Sequence, residues 1–192
     1  MDRMEQIEKV LLELAVQSKE TDRQMRITDE QMRLTDRQVK QLNKQLGEIN
    51  NKWGTFTESM AGPSVEKILF DRFQIQNVSF RQKARRNGEV IELDAFGYSN
   101  GEVQTAVVVE IKSHLKDESI TQIDETLDKF LTFFPEHADK KLFALVACVS
   151  APENLKNILR KKGIYLALLN DETFEVYDFP NFTPKNFNPK AT

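Results

Sequence analysis

Apolar residues recur every seven positions through the first fifty-odd residues of the chain. Three near-copies carry the period: Thr21-Asp22-Arg23-Gln24-Met25-Arg26-Ile27, then Thr28-Asp29-Glu30-Gln31-Met32-Arg33-Leu34, then Thr35-Asp36-Arg37-Gln38-Val39-Lys40. With Met25 at position a, the a series is Met4, Leu11, Ser18, Met25, Met32, Val39, Leu46 and Trp53. The d series is Ile7, Leu14, Thr21, Thr28, Thr35, Leu42, Ile49 and Phe56. A seam held in phase over this length predicts a coiled-coil helix over residues 1–57. Its ends are apolar, whereas Ser18, Thr21, Thr28 and Thr35 make its middle polar and weaker. About 53 helical residues reach roughly 80 Å, and the rest of the chain would form a domain only about 35–40 Å across. Self-association therefore accounts for the seam better than a helix folded back on its own domain. The number of strands stays open, because Met and Thr do not match the patterns that select oligomer state.

The period then changes. Gly54 and Ala61-Gly62-Pro63-Ser64 mark a boundary, and Pro63-Ser64 suits the start of a new helix over Val65–Phe73. Strands are predicted near Val78–Ala84, Val90–Tyr98 and Gln104–Ser113, the last two joined at Ser99-Asn100-Gly101. Ile120, Ile123, Leu127, Phe130 and Leu131 have helical spacing within Ser119–Phe134. Leu142–Val149 reads as a buried strand, Pro152–Lys162 as a helix closed by Gly163, and Ile164–Leu169 with Thr173–Phe179 as a hairpin. The globular part, 61–179, is thus α/β, a mixed sheet flanked by helices. Residues 180–192, rich in Pro and Asn, read as an irregular tail.

Composition changes this picture little. Acids and bases nearly cancel, with a formal charge of −3, so any nucleic-acid binding must come from local patches. The one cysteine, Cys148, reads as a buried thiol in a reducing compartment. No segment approaches the apolar length of a membrane span, and the polar N-terminus is no signal peptide. A soluble, cytoplasmic protein is the expectation.

The candidate chemistry lies in Val107-Val108-Val109-Glu110-Ile111-Lys112. A strand apolar on both faces is usually buried on both. A charge at its end costs several kcal/mol, about, unless it is paired, metal-bound or opened to a cleft. Glu110 and Lys112 are two apart and project side by side. The preceding strand carries Asp94 among apolar neighbours. Two acids and a lysine converging from adjacent strands would make a divalent-metal site, with Mg²⁺ or Mn²⁺ the cations suited to oxygen ligands. Asp139-Lys140-Lys141 repeats the acid-x-lysine spacing, but in a polar turn with no apolar run leading in.

This order of elements, with Leu93-Asp94 followed by Glu110-Ile111-Lys112, resembles the PD-(D/E)XK nuclease-like superfamily across about residues 61–170. Leu93 stands where the name-giving proline does. The resemblance implies a restriction-endonuclease-like fold and hydrolysis of DNA phosphodiester bonds. It makes Asp94, Glu110 and the Ile111 carbonyl metal ligands, and Lys112 the group that positions or deprotonates water or steadies the transition state. It also points to Glu66, in the first turn of the helix after the boundary, as an acid near the metal, and to Gln122 as a minor candidate. DNA repair or defence against foreign DNA would be fitting roles.

Other residues weigh less. Arg81, Lys83, Arg85 and Arg86 form one basic cluster and Arg160-Lys161-Lys162 a second, either able to meet phosphates. Charge runs are more often solvated faces. Phe80 reads as core, and His114 as a surface residue at a strand end. His137 falls in a loop, and the histidines and cysteine are too dispersed for zinc. The competing expectation is a coiled-coil interaction protein whose nuclease-like domain binds without turnover.

Overall fold

The computed structural model describes residues 3–191, leaving aside the side chains of Arg3, Glu5, Asn50, Asn51 and Trp53. The expected seam position Trp53 therefore lies outside the described side chains. The chain divides into two compact units, residues 1–51 and 52–192.

In the first unit every described residue is helical and exposed. The apolar seam positions, among them Met4, Leu11, Leu14, Met25, Met32, Val39, Leu42, Leu46 and Ile49, are all open to solvent in the single chain. The threonines of the weak middle settle their hydroxyls locally. Thr21 Oγ1 donates to the Gln17 carbonyl and Thr28 Oγ1 to the Gln24 carbonyl, both at 2.9 Å. A threonine bonded one turn back presents its methyl outward without a stranded polar group.

In the second unit the helix α1, Arg3–Phe73, runs on through Gly54 and Pro63. The break expected at Ala61–Ser64 is absent. An interior proline costs about 3 kcal/mol. Here the helix lays Ala61, Val65, Ile68, Leu69 and Phe73 into the core, and each large apolar side chain so buried contributes about 1.5–3 kcal/mol. Packing outweighs the lost hydrogen bond. Gln74 then ends the helix in a left-handed conformation, φ 54°.

Beyond α1 the chain forms β1 (Asn77–Arg86), β2 (Glu89–Tyr98), β3 (Thr105–His114), α2 (Asp117–Phe133), β4 (Lys141–Ser150), α3 (Glu153–Lys162), β5 (Tyr165–Asn170) and β6 (Thr173–Val176). These match the predicted elements closely. The sheet order is β1-β2-β3-β4-β5-β6. The β1–β2, β2–β3 and β5–β6 pairs are antiparallel, and β3–β4 and β4–β5 are parallel. The fold is therefore the expected mixed sheet between helices.

One core layer joins the end of α1 to Val107, Val109, Ile111, Leu145 and Ala147. The other joins α2 and α3 to Val108, Leu142, Val146 and Cys148. β3 and β4 face helices on both sides, which is why their sequences are apolar without alternation. The tail is irregular yet tied down. Asn186 Oδ1 accepts the Leu142 N–H, and the buried Asn188 amide donates to the Ala138 and Lys140 carbonyls. Lys140, expected in a solvated turn, is buried beneath this clasp.

The hairpin β1–β2 turns over partway along. Val78, Ala95 and Gly97 belong with the α1 layer, since a Cβ on Gly97 would meet Ile75 and Leu69. Nearer the turn, Ala84, Ile91 and Leu93 belong with the α2 layer. The change falls at Arg81 and Asp94. Pairing runs Phe80↔Ala95 and then Gln82↔Leu93, so these two residues stand opposite each other, outside the ladder. Arg81 is left-handed there, φ 53°, an uncommon conformation for a residue with a Cβ. The register is the same on both sides, so neither strand carries an extra residue.

Candidate active site

β2 and β3 part at the same level. Their pairing covers only Ala95↔Val109 to Tyr98↔Ala106. Beyond it Asp94 enters the split, and its Oδ2 accepts the Ile111 N–H at 2.7 Å. A side chain thus takes the hydrogen bond that the ladder would otherwise supply. In a strand a residue's N–H and C=O point to the same neighbour, so the Ile111 carbonyl also faces the split.

Glu110 is only 2% exposed. Its Oε1 lies 2.6 Å from Lys112 Nζ as an ion pair and receives no well-directed hydrogen bond. Burial, and after it the Asp94 carboxylate, push Glu110 up to about 7, with Lys112 opposing. Asp94 Oδ2 is bonded to the N–H of the residue that follows Glu110, and its charge raises Glu110 while that of Lys112 lowers it. Asp94 is itself raised, first by burial, with the Ile111 N–H and Lys112 opposing and Glu58 and Glu92 adding to the rise. For Lys112 burial pushes the ammonium down, but Glu110 and then Asp94 outweigh it, and its pKa ends above the ordinary lysine value.

A cavity of about 400 Å³ opens beside Asp94 and Ile111, walled by Glu58, Ser59 and Gly62 of α1 and by Phe80 and Arg81 of β1. The acid that α1 brings to it is Glu58, whose charge acts on Asp94, Glu110 and Lys112 alike. Glu66, named from the sequence, is exposed and absent from the cavity wall. Eight residues on, it lies about 80° further round the helix and about 12 Å along it. The misplacement follows from ending the first helix at the proline. With α1 continuous, Glu58 falls on the buried stripe of Ala61 and Val65, a signal present in the sequence.

The structure brings Asp94, Glu110, Ile111 and Lys112 together. It does not gather the basic cluster. Arg81 Nε pairs with Glu58 Oε2 at 3.2 Å, Lys83 pairs with Glu92, and Arg86 turns to the Thr132 carbonyl of α2. Arg85 is exposed. Gln122 is exposed on α2 with Val90, Ile91, Glu92, Glu125, Thr126 and Lys129, away from the Asp94 cavity. Arg160 donates to the Pro180 carbonyl and Lys162 pairs with Asp124. Phe80 is not core: it is 40% exposed beside Gly62, because the hairpin turns over there. His114 Nδ1 is 2.7 Å from Ser150 Oγ. His137 is buried against Phe96, Tyr98 and Phe130 rather than lying free in a loop. Cys148 is buried, its thiol pushed up to about 12 by desolvation.

Asp94, Glu110 and the Ile111 carbonyl are hard oxygen donors suited to Mg²⁺ or Mn²⁺. The buried Glu110 oxygen without a directed hydrogen bond fits a cation ligand. Among the described residues no three His, Cys, Asp or Glu side chains are gathered as a ready cation cage. No described helix is long and apolar enough to cross a membrane.

No family model matches the chain, and none of the curated proteins does. Among solved structures it is similar to EndoMS in complex with double-stranded DNA, at 16% identity and TM-score 0.38, over 58% of this chain and 45% of that one. It is also similar to a repair endonuclease from Pyrococcus abyssi, at 19% identity and TM-score 0.38, over 57% of this chain and 47% of that one. The chain thus matches less than half the length of either structure.

Proposed function

We propose that the globular unit is a metal-dependent nuclease of the PD-(D/E)XK type, hydrolysing DNA phosphodiester bonds. The observation that carries this reading is the split between β2 and β3. There Asp94 is bonded to the Ile111 N–H, next along β3 from a buried Glu110 that pairs with Lys112. Asp94, Glu110 and the Ile111 carbonyl would hold Mg²⁺ or Mn²⁺, which when bound supplies charge neutralisation at phosphate and acidifies water. Lys112 stands next to the carboxylates with its proton retained, so it positions water or steadies developing negative charge. Asp94, anchored on the Ile111 N–H, lines the cavity. Plasmid and single-stranded DNA, each with Mg²⁺ or Mn²⁺, should be cut at least about tenfold faster by wild type than by Asp94→Ala. Equal rates on every substrate would remove the catalytic reading.

A second reading, a nuclease-like binding module without turnover, is favoured by the absence of a ready cage among the described residues. The same assay separates the two, because a binder retains DNA without cutting it.

In either case the exposed heptad seam of residues 4–49 calls for a partner helix, and the reading here is a second copy of this chain. Sedimentation should give at least twice the monomer mass, and Leu42→Asp should shift the protein toward monomer by placing a charge in the apolar seam. A monomer at micromolar concentration for wild type would refute assembly.

A further inference from the structure

The geometry points to Arg81 as a resident counter-ion of the carboxylate cluster, one that a divalent cation must displace from Glu58 to be held fully. This rests on the metal reading above and concerns how the site is kept when no cation is bound.

Three observations carry it. First, Glu58, Arg81 and Asp94 wall the same cavity, and Arg81 Nε sits 3.2 Å from Glu58 Oε2. Second, Arg81 stands opposite Asp94 in the hairpin register, in a left-handed conformation that regular strand geometry does not require. Backbone in that region persists only where its surroundings hold it, and it gathers at functional sites. The turnover at this point lets Phe80 and Arg81, consecutive residues, both reach the cavity. Third, two of the three acids already hold a cation: Lys112 serves Glu110 and Arg81 serves Glu58, while Asp94 has only the Ile111 N–H.

Arg81 is suited to leaving. It makes one contact to Glu58 rather than a two-pronged one, and its side chain is largely exposed, so its pairing is weak and water receives the guanidinium readily. With Arg81 swung out, Glu58 becomes available as a third carboxylate toward the cation.

Mn²⁺ titrations followed by electron paramagnetic resonance of the free ion test this without reference to cleavage. Four proteins are compared, wild type, Arg81→Gln, Glu58→Gln and the double variant, and a fifth, Asp94→Ala, marks specific binding. Arg81→Gln should bind Mn²⁺ about five- to tenfold more tightly than wild type, and Glu58→Gln more weakly. In the Glu58→Gln background, Arg81→Gln should change affinity by less than about twofold, since the acid it guarded is gone. Binding that depends on Asp94 but is unaltered by Arg81→Gln overturns the displacement idea alone. An equal gain in both backgrounds also overturns it, because that is the effect of removing any nearby positive charge. Failure of all four proteins to bind overturns it together with the metal reading.

Discussion

Glu110→Gln is expected to fold more stably than wild type at pH 8 while losing cleavage by at least about a hundredfold. A carboxyl moved from 4.5 to about 7 corresponds to about 3 kcal/mol of unfavourable interaction in the ionised form. The sign follows from proton binding. Between these two pKa values the folded protein holds a proton at Glu110 that the unfolded chain has released, so stability falls as pH rises through this window. The loss is complete above about pH 7 and absent below about 4.5. Glutamine keeps the shape and removes the charge. Urea denaturation in a chelator should then show a gain of about 1–3 kcal/mol at pH 8 that shrinks toward zero at pH 4.5. Adding Mn²⁺ should reverse the ranking, because a ligand that binds only the folded state stabilises it by mass action and the variant lacks the anionic carboxylate. A variant no more stable than wild type at pH 8 would mean that Glu110 is not held against its own desolvation.

Lys112→Met should produce the opposite shift. Methionine keeps an apolar stem in place but removes the cation that opposes the upward shift of Glu110, so Glu110 keeps its proton to still higher pH in the folded protein. Linkage limits the added cost at pH 8 to the step up from about 7, so about 1 kcal/mol is the expected loss. It should vanish near pH 5, where Glu110 is protonated in the folded protein and needs no partner. The double variant Glu110→Gln/Lys112→Met should recover stability, because no buried charge is left. Guanidinium or urea curves at the two pH values decide this. A loss that is the same at pH 5 and pH 8 would assign the effect to packing of the lysine stem.

Much of the fold was legible because periodicity reports burial. The unalternating Val107–Ile111 and Leu142–Val149 mark strands covered on both faces, and Gly163 marks the end of α3, where it adopts φ 71°. The reading failed at Pro63. A local rule that proline starts a helix competed with the burial of Ala61, Val65 and Leu69, and the non-local term was larger. That one error moved the helical acid from Glu58 to Glu66. Asp94, Glu110 and Lys112 were legible because charge among apolar residues is costly wherever the strand ends up. The position of Arg81 was not. Its place depends on a left-handed residue in β1 and on the parting of β2 from β3, neither of which leaves a mark in composition or spacing. Phe80 was misjudged for the same reason, since alternation taken across a turnover predicts the wrong side.

The reversal of faces shared by β1 and β2 also restricts how this hairpin can be edited. Shortening it at Asn87-Gly88 by one residue from each arm keeps every cross-strand partner and only brings the bend closer to Arg81. Deleting a single residue between Gln82 and Arg86 would slip one arm against the other. Charged residues of β1 would then point into the α2 layer while Ala84, which now packs there, faced water. Loop grafts and length variants of this arm should therefore be built in matched steps, with Arg81 and Asp94 left as the fixed hinge line between its two halves.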